Sequence, residues 1–253
     1  MNLKAQIPNF FTMLNLFCGC VALVWVSNFQ FLWAFGFVCL GIFFDFFDGF
    51  FARKFNVAGP LGVQLDSLAD MVTSGVVPGY VMYKMLADVE ANSRFNAKLN
   101  TIETLQNELY LLPFMGFLIT VGACYRLAKF NIDTRQSDSF IGLPTPANAL
   151  FVVSLPLLWN PDVCPYQVIT LLTNTWFLLA VTAISAFVMN AEIPLFSLKI
   201  KKFSVAKYKL QLFFLLLSVL MLIFLKILAV PLIILVYVLL SVFNNITNKK
   251  ASN

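Results

Sequence analysis

Long apolar runs, broken by short clusters of polar and turn-forming residues, dominate the chain. No charge occurs between Lys4 and Asp45, none between Asp162 and Glu192, and none from Ile227 to Asn248. A helix that crosses a bilayer needs roughly 20 mostly apolar residues, and these runs supply that length. The pattern predicts membrane helices at 10–28, 31–53, 62–86, 109–130, 144–160, 167–189, 208–225 and 228–245. Ser27-Asn28, Gly59-Pro60 and Asn160-Pro161 mark joints between them. Residues 88–108 alternate charged and amide side chains and read as a short surface helix or loop. The flank after Trp25 lacks a small-x-small cleavage site, and another apolar segment follows directly, so the first segment reads as a retained helix. The expected fold is an all-α integral membrane protein, a polytopic bundle of about eight transmembrane helices with a six-helix core plus a C-terminal pair. A single domain is expected over 1–253, with its core at 1–190 and the helix pair at 191–253.

Composition removes the soluble alternative. Of 253 residues, 60% are apolar and 11% charged, against about 25% charged in soluble domains. There is no histidine, which excludes imidazole acid–base chemistry and most transition-metal sites. Cys18, Cys20, Cys39 and Cys124 lie in apolar segments and Cys164 in a loop; this odd, scattered set predicts neither a disulfide framework nor a zinc site. Any metal should be hard and bound by oxygen.

Basic residues set the orientation. With the N-terminus in the cytoplasm, 13 of the 17 lysines and arginines fall inside, and only Lys84, Arg94, Lys98 and Lys226 outside. Both termini then face the cytoplasm. The cluster Lys199, Lys201, Lys202, Lys207 and Lys209 reads as a topology determinant touching anionic headgroups, or else as an attractor of an anionic ligand. No nucleic-acid partner is expected.

Four carboxylates stand out: Asp45 and Asp48 in the second predicted helix, Asp66 and Asp70 in the third. Intramembrane acids are costly, and their default reading is a functional site. At about 100° per residue, Asp45 and Asp48 lie about 60° apart, and Asp66 and Asp70 about 40° apart, on one face each. The short link through Gly59-Pro60 folds the two helices back antiparallel, so all four can meet near the cytoplasmic end. Such a cluster is relieved by protonation or by cations, and one or two Mg²⁺ or Mn²⁺ ions suit carboxylate oxygen. Gly49, Ala52 and Gly62 leave the backbone open to a ligand, and Arg53 offers a fork for phosphate. Together these suit phosphoryl transfer. The bland readings stand beside these: polar glue or a cation pathway for the aspartates, helix packing for the glycines, and a cytoplasmic helix end for Arg53.

The series Asp45-x-x-Asp48-Gly49-x-x-Ala52-Arg53, eight residues, Gly62, three residues, Asp66, three residues, Asp70 resembles the CDP-alcohol phosphatidyltransferase signature at every defined position. The resemblance implies two divalent ions, Mg²⁺ or Mn²⁺, held by Asp45, Asp48, Asp66 and Asp70, and a nucleotide bound beside Gly49, Ala52, Arg53 and Gly62. It implies that Asp70 is also the catalytic base that activates the incoming alcohol, and that the enzyme is a homodimer. Three further stretches resemble bacterial and archaeal phosphatidylserine synthases: Ile7-Pro8-Asn9-Phe10-Phe11-Thr12 with Asn15-Leu16-Phe17-Cys18-Gly19, Arg126-Leu127-Ala128-Lys129-Phe130-Asn131, and Gly142-Leu143-Pro144-Thr145-Pro146-Ala147. On that resemblance CDP-diacylglycerol and L-serine react to phosphatidylserine and CMP, with the lipid entering from the bilayer and the site facing the cytoplasm. Arg126, Lys129 and Asn131 are the candidate serine contacts; a topogenic or loop-shaping role is the alternative for each. A sister enzyme that uses glycerol phosphate or inositol phosphate, and an ion transporter with an acidic site, remain the competing functions.

Overall fold

The protein is described by a computed structural model covering residues 3–98, 111–132, 140–196 and 209–251. Lys199, Lys201, Lys202 and Lys207 lie outside the described residues. Helices α1 (Leu3–Ser27) and α2 (Phe31–Lys54) pack closely on one another. Their three-residue joint turns on Phe29, which takes φ 58, while Ser27 Oγ and Asn28 Nδ2 donate to the carbonyl of Val24 at 2.7 and 2.8 Å. The next joint ends at Gly59 in extended conformation, and Pro60 opens α3 (Pro60–Asp70) where a missing N–H costs nothing. From Asp70 the helix continues through a π-helical segment, Met71–Val76, into α4 (Val77–Lys98). Pro78, the second residue of α4, has no N–H for an α-helical ladder. The segment predicted at 62–86 therefore runs from 60 to 98. Residues 88–98 of the polar stretch are helical rather than loop, and 99–110 lie outside the described residues.

A 3₁₀ turn, Leu112–Phe117, leads into α5 (Leu118–Ile132). After it come β1 (Phe140–Ile141), α6 (Thr145–Ser154) and a second 3₁₀ turn, Leu155–Trp159. Helices α7 (Tyr166–Leu172) and α8 (Thr175–Asn190) meet at a 74° bend. There Asn174 leaves the helical conformation and its side chain accepts from Phe177 N at 3.1 Å, capping α8. Strand β2 (Pro194–Leu195) pairs antiparallel with β1. Helices α9 (Lys209–Leu225) and α10 (Ala229–Ala251) flank the turn Lys226–Leu228, where Lys226 takes φ 50.

Among the described residues, each segment predicted as a membrane helix is largely helical, and the chain is an all-α membrane protein. Length and apolarity alone qualify three stretches as spans: Gln6–Ser27, Phe31–Lys54 and the 38 residues Leu210–Thr247; the bent pair Tyr166–Leu172 and Thr175–Asn190 makes a fourth. Three or four stretches thus qualify against eight expected spans, with Leu210–Thr247 containing both of the last two. Two segments fall short in physical terms: α5 has only 15 residues, and Thr145–Trp159 spends its last turn as 3₁₀ helix. The third carries the aspartates. The run Leu210–Thr247 is long for one crossing, at about 57 Å against about 30 Å of hydrocarbon.

The interior centres on α6, which packs on α2, the π segment, α4 and α10. Val38, Val77, Val81, Met82, Ile119, Val152 and Leu178 are fully buried around it. A strap holds the entry to α6: Gly142, at φ 75, donates its N–H to Ile193 O at 3.0 Å, and Leu143 N donates to Val188 O at 3.1 Å. Tyr237 of α10 donates to Phe196 O at 3.0 Å just beyond β2. The five cysteines are free.

Candidate active site

Three helices build the site. α2 carries Asp45 and Asp48 one turn apart, and α3 carries Asp66. One oxygen from each of these carboxylates lies within 4.8 Å of the others, and the carboxyl groups of Asp45 and Asp66 are within hydrogen-bond reach of each other. Both helices rest on α1 more than on one another, so a cleft of ≈ 140 Å³ opens between them. Pro8, Asn9 and Thr12 of α1 form its floor. Asp48, Gly49 and Ala52 line one wall, Gly62, Val63 and Asp66 the other, and Val57 to Gly59 close its end. The absence of side-chain bulk at Gly49, Ala52 and Gly62 keeps this cleft open. Arg53 is exposed and folds back along α2, its Nη1 3.5 Å from where a Cβ on Gly49 would sit.

Asp70 stands apart from that group of three. It is buried at the last residue of α3, directly before the π segment, and Asn15 Nδ2 donates to its Oδ1 at 3.1 Å. π segments inside α-helices often occur at functional sites. Arg126, buried on α5, interacts electrostatically with Asp70. Its Nη1 reaches Thr145 Oγ1 at 3.5 Å, and its Nε has no protein partner.

The other two candidate serine contacts have different neighbours. Lys129 pairs with Glu192 at 3.5 Å. Asn131 Nδ2 donates to Ser67 Oγ at 2.8 Å, tying the end of α5 to α3 at the residue after Asp66. Sequence reasoning quoted Thr12, Asn15 and Thr145 inside matched stretches without giving them a role. A signal was present: Asn9, Thr12 and Asn15 recur every third residue of an otherwise apolar helix, which places polar atoms on one face.

The three clustered carboxylates offer only hard oxygen donors. Among the described residues no lysine or arginine comes within ion-pairing distance of them. That donor set fits a divalent cation such as Mg²⁺ or Mn²⁺.

A family model described as CDP-alcohol phosphatidyltransferase matches residues 5–188, which include every residue of this site. The chain belongs to that family. Among CDP-alcohol phosphatidyltransferase relatives, the CDP-diacylglycerol–serine O-phosphatidyltransferase of Bacillus subtilis is 35% identical over 159 residues, covering 61% of this chain and 77% of the relative. The protein of the same name from Helicobacter pylori is 30% identical over 221 residues, 87% of this chain and 81% of its own. That of Methanocaldococcus jannaschii is 32% identical over 154 residues, 61% and 62% respectively. The family assignment read from the aspartate signature is thus borne out.

Proposed function

We propose that this family member transfers the phosphatidyl group of CDP-diacylglycerol to L-serine, giving phosphatidylserine and CMP. The observation that carries the reading is the open cleft between α2 and α3, with a carboxylate trio on its edge and Asp70 set apart beside a buried arginine. The names of the relatives support serine as acceptor.

In this reading the nucleotide lies in the cleft against Gly49, Ala52 and Gly62, with Arg53 turned toward its phosphates. Asp45, Asp48 and Asp66, with Asp70 at their border, would hold two divalent ions, which when bound neutralise phosphate charge and polarise the reacting oxygens. Arg126 pairs with the serine carboxylate through its free Nε. Asp70 takes the proton of the serine hydroxyl as its oxygen bonds to phosphorus and the phosphate–CMP bond breaks. Partial separation of Asp70 from the trio supports this division of labour. Lys129 and Asn131 are kept as serine contacts only in a second reading, since each already has a protein partner.

The positive-inside count supports a site on the cytoplasmic face of the cell membrane, with both termini on that side. Residues 1–190 would be the catalytic core of a single domain, and 191–253 a C-terminal helix pair. The resemblance supports a homodimer. The test is CMP release from CDP-diacylglycerol by purified protein with Mn²⁺, comparing L-serine, glycerol 3-phosphate, inositol and inositol phosphate. Release that requires serine is the expected result; release with another acceptor overturns serine, and cation flux without CMP release overturns the enzyme.

A further inference from the structure

Two of the polar residues on α1 touch the aspartates rather than the cleft alone. Thr12 Oγ1 lies 2.6 Å from Asp48 Oδ2 and 3.2 Å from Pro8 O. A hydroxyl has one proton to give, and the shorter, charged acceptor is the stronger. One turn on, Asn15 Nδ2 donates to Asp70 Oδ1 at 3.1 Å. Thr12 is 2% exposed and Asn15 fully buried, so neither bond is diluted by solvent.

The surrounding packing holds Asn15 in that orientation. Thr73, in the π segment that follows Asp70, donates to the backbone carbonyl of Asn15 at 3.0 Å and so fixes α1 against that segment. On the other side lies Gly41 of α2, where an added Cβ would sit 2.9 Å from Asn15 Oδ1 and 2.9 Å from Thr73 Cγ2. A Cβ on Gly19 would fall 2.5 Å from Thr73 Oγ1. Two glycines thus let α1, α2 and the π segment close on one asparagine. The amide oxygen of Asn15 has no protein partner, so the side chain's one hydrogen bond goes to Asp70. Leaving a buried amide half satisfied is unfavourable, and packing alone would be served by leucine at this position.

We infer that Thr12 and Asn15 are positioning residues of the transferase: each occupies one oxygen of an aspartate and turns the other toward the reacting groups. Thr12 leaves Oδ1 of Asp48 for the cation, and Asn15 leaves Oδ2 of Asp70 for the acceptor proton. α1 thereby acts as the orienting helix behind two aspartates that lie on two different helices. The inference rests on the functional reading above, and it assigns a role to the stretch 7–19 that the acceptor alone does not explain.

The test compares Thr12→Val, Thr12→Ser and Asn15→Leu in detergent, reading Mn²⁺ affinity by electron paramagnetic resonance beside kcat and KM. Thr12→Val keeps the shape and removes the donor, and should weaken Mn²⁺ binding about tenfold or more, as loss of a metal ligand's hydrogen-bond partner does elsewhere. Thr12→Ser should restore it, with KM for serine unchanged throughout. Asn15→Leu should lower kcat with a smaller effect on Mn²⁺. If Asn15→Leu does not fold, the near-isosteric Thr12 pair still decides. Thr12→Val equal to wild type in Mn²⁺ affinity, or Thr12→Ser as impaired as Thr12→Val, would overturn the inference. A wild-type protein that binds no Mn²⁺ or releases no CMP would instead overturn the functional reading beneath it.

Discussion

Asp70 differs from the other three aspartates in its neighbours rather than its chemistry. Asp45, Asp48 and Asp66 share one space within 4.8 Å; Asp70 lies outside that space but within reach of the charges of Asp66 and Asp48, and it alone is held by Asn15 and offset by the charge of Arg126. A base must hold a proton-accepting oxygen near the acceptor, and a metal ligand must hold one near the cation. The two roles separate on substitution. Asp70→Asn should lower kcat by roughly 10²–10⁴-fold, the usual contribution of a general base, while weakening nucleotide binding less than Asp45→Asn does. Steady-state kinetics with a CMP binding titration checks this, and parallel losses in both variants would remove the separate base role. The four aspartates were legible in the sequence because acids inside apolar helices are rare and their spacing repeats one helical turn. Their division into three and one was not, since it depends on α1 and on the π segment, which helical periodicity cannot anticipate.

At the scale of elements, α5 enters the site in two ways. Its buried Arg126 faces Asp70, while Lys129 and Asn131 fasten its end to the segment after α8 and to α3. A partly exposed ion pair is worth about 0–1 kcal/mol, and a net hydrogen bond about 0.5–1.5 kcal/mol. Lys129→Ala and Asn131→Ala should therefore cost little stability and leave KM for serine within about twofold. Arg126→Lys should raise that KM about tenfold or more, because a hydrogen bond to a charged group contributes about 1.5–3 kcal/mol. Acceptor-dependence curves for the three variants settle it, and a larger KM effect at Lys129 or Asn131 than at Arg126 would reverse the assignment. Sequence placed all three residues at one helix end. It was silent on which turns inward, because Arg126 is drawn by Thr145 and Asp70 from other helices.

For the whole molecule, hydropathy located the apolar helical segments without fixing how many cross the membrane, and breakers such as Gly59-Pro60 located their joints. The features that escaped are the ones made by packing. The 74° bend falls at Thr173-Asn174-Thr175 and the 3₁₀ end of α6 at Pro156, uncharged interruptions too slight to break the apolar runs predicted at 167–189 and 144–160. The extension of α4 to Lys98 lies in a run too polar to read as membrane helix. The site occupies the end of the bundle where α1, α2, α3 and α5 converge, and α6 behind them is held by α10 and by the strap at Gly142. This arrangement opens the cleft between α2 and α3, with Asp70 and Arg126 at the junction of α3 and α5.

Metal-dependent transfer requires the carboxylate trio and Asp70 to act together on one substrate pair. The most direct measurement supplies isotope-labelled L-serine and CDP-diacylglycerol to the purified protein in proteoliposomes with Mn²⁺, and follows labelled lipid by mass spectrometry beside CMP. Labelled phosphatidylserine should form in equal amount to CMP, and both should be lost on adding EDTA and in Asp45→Asn. CMP released without label entering lipid, or transfer that persists in EDTA, would contradict metal-dependent transfer to serine.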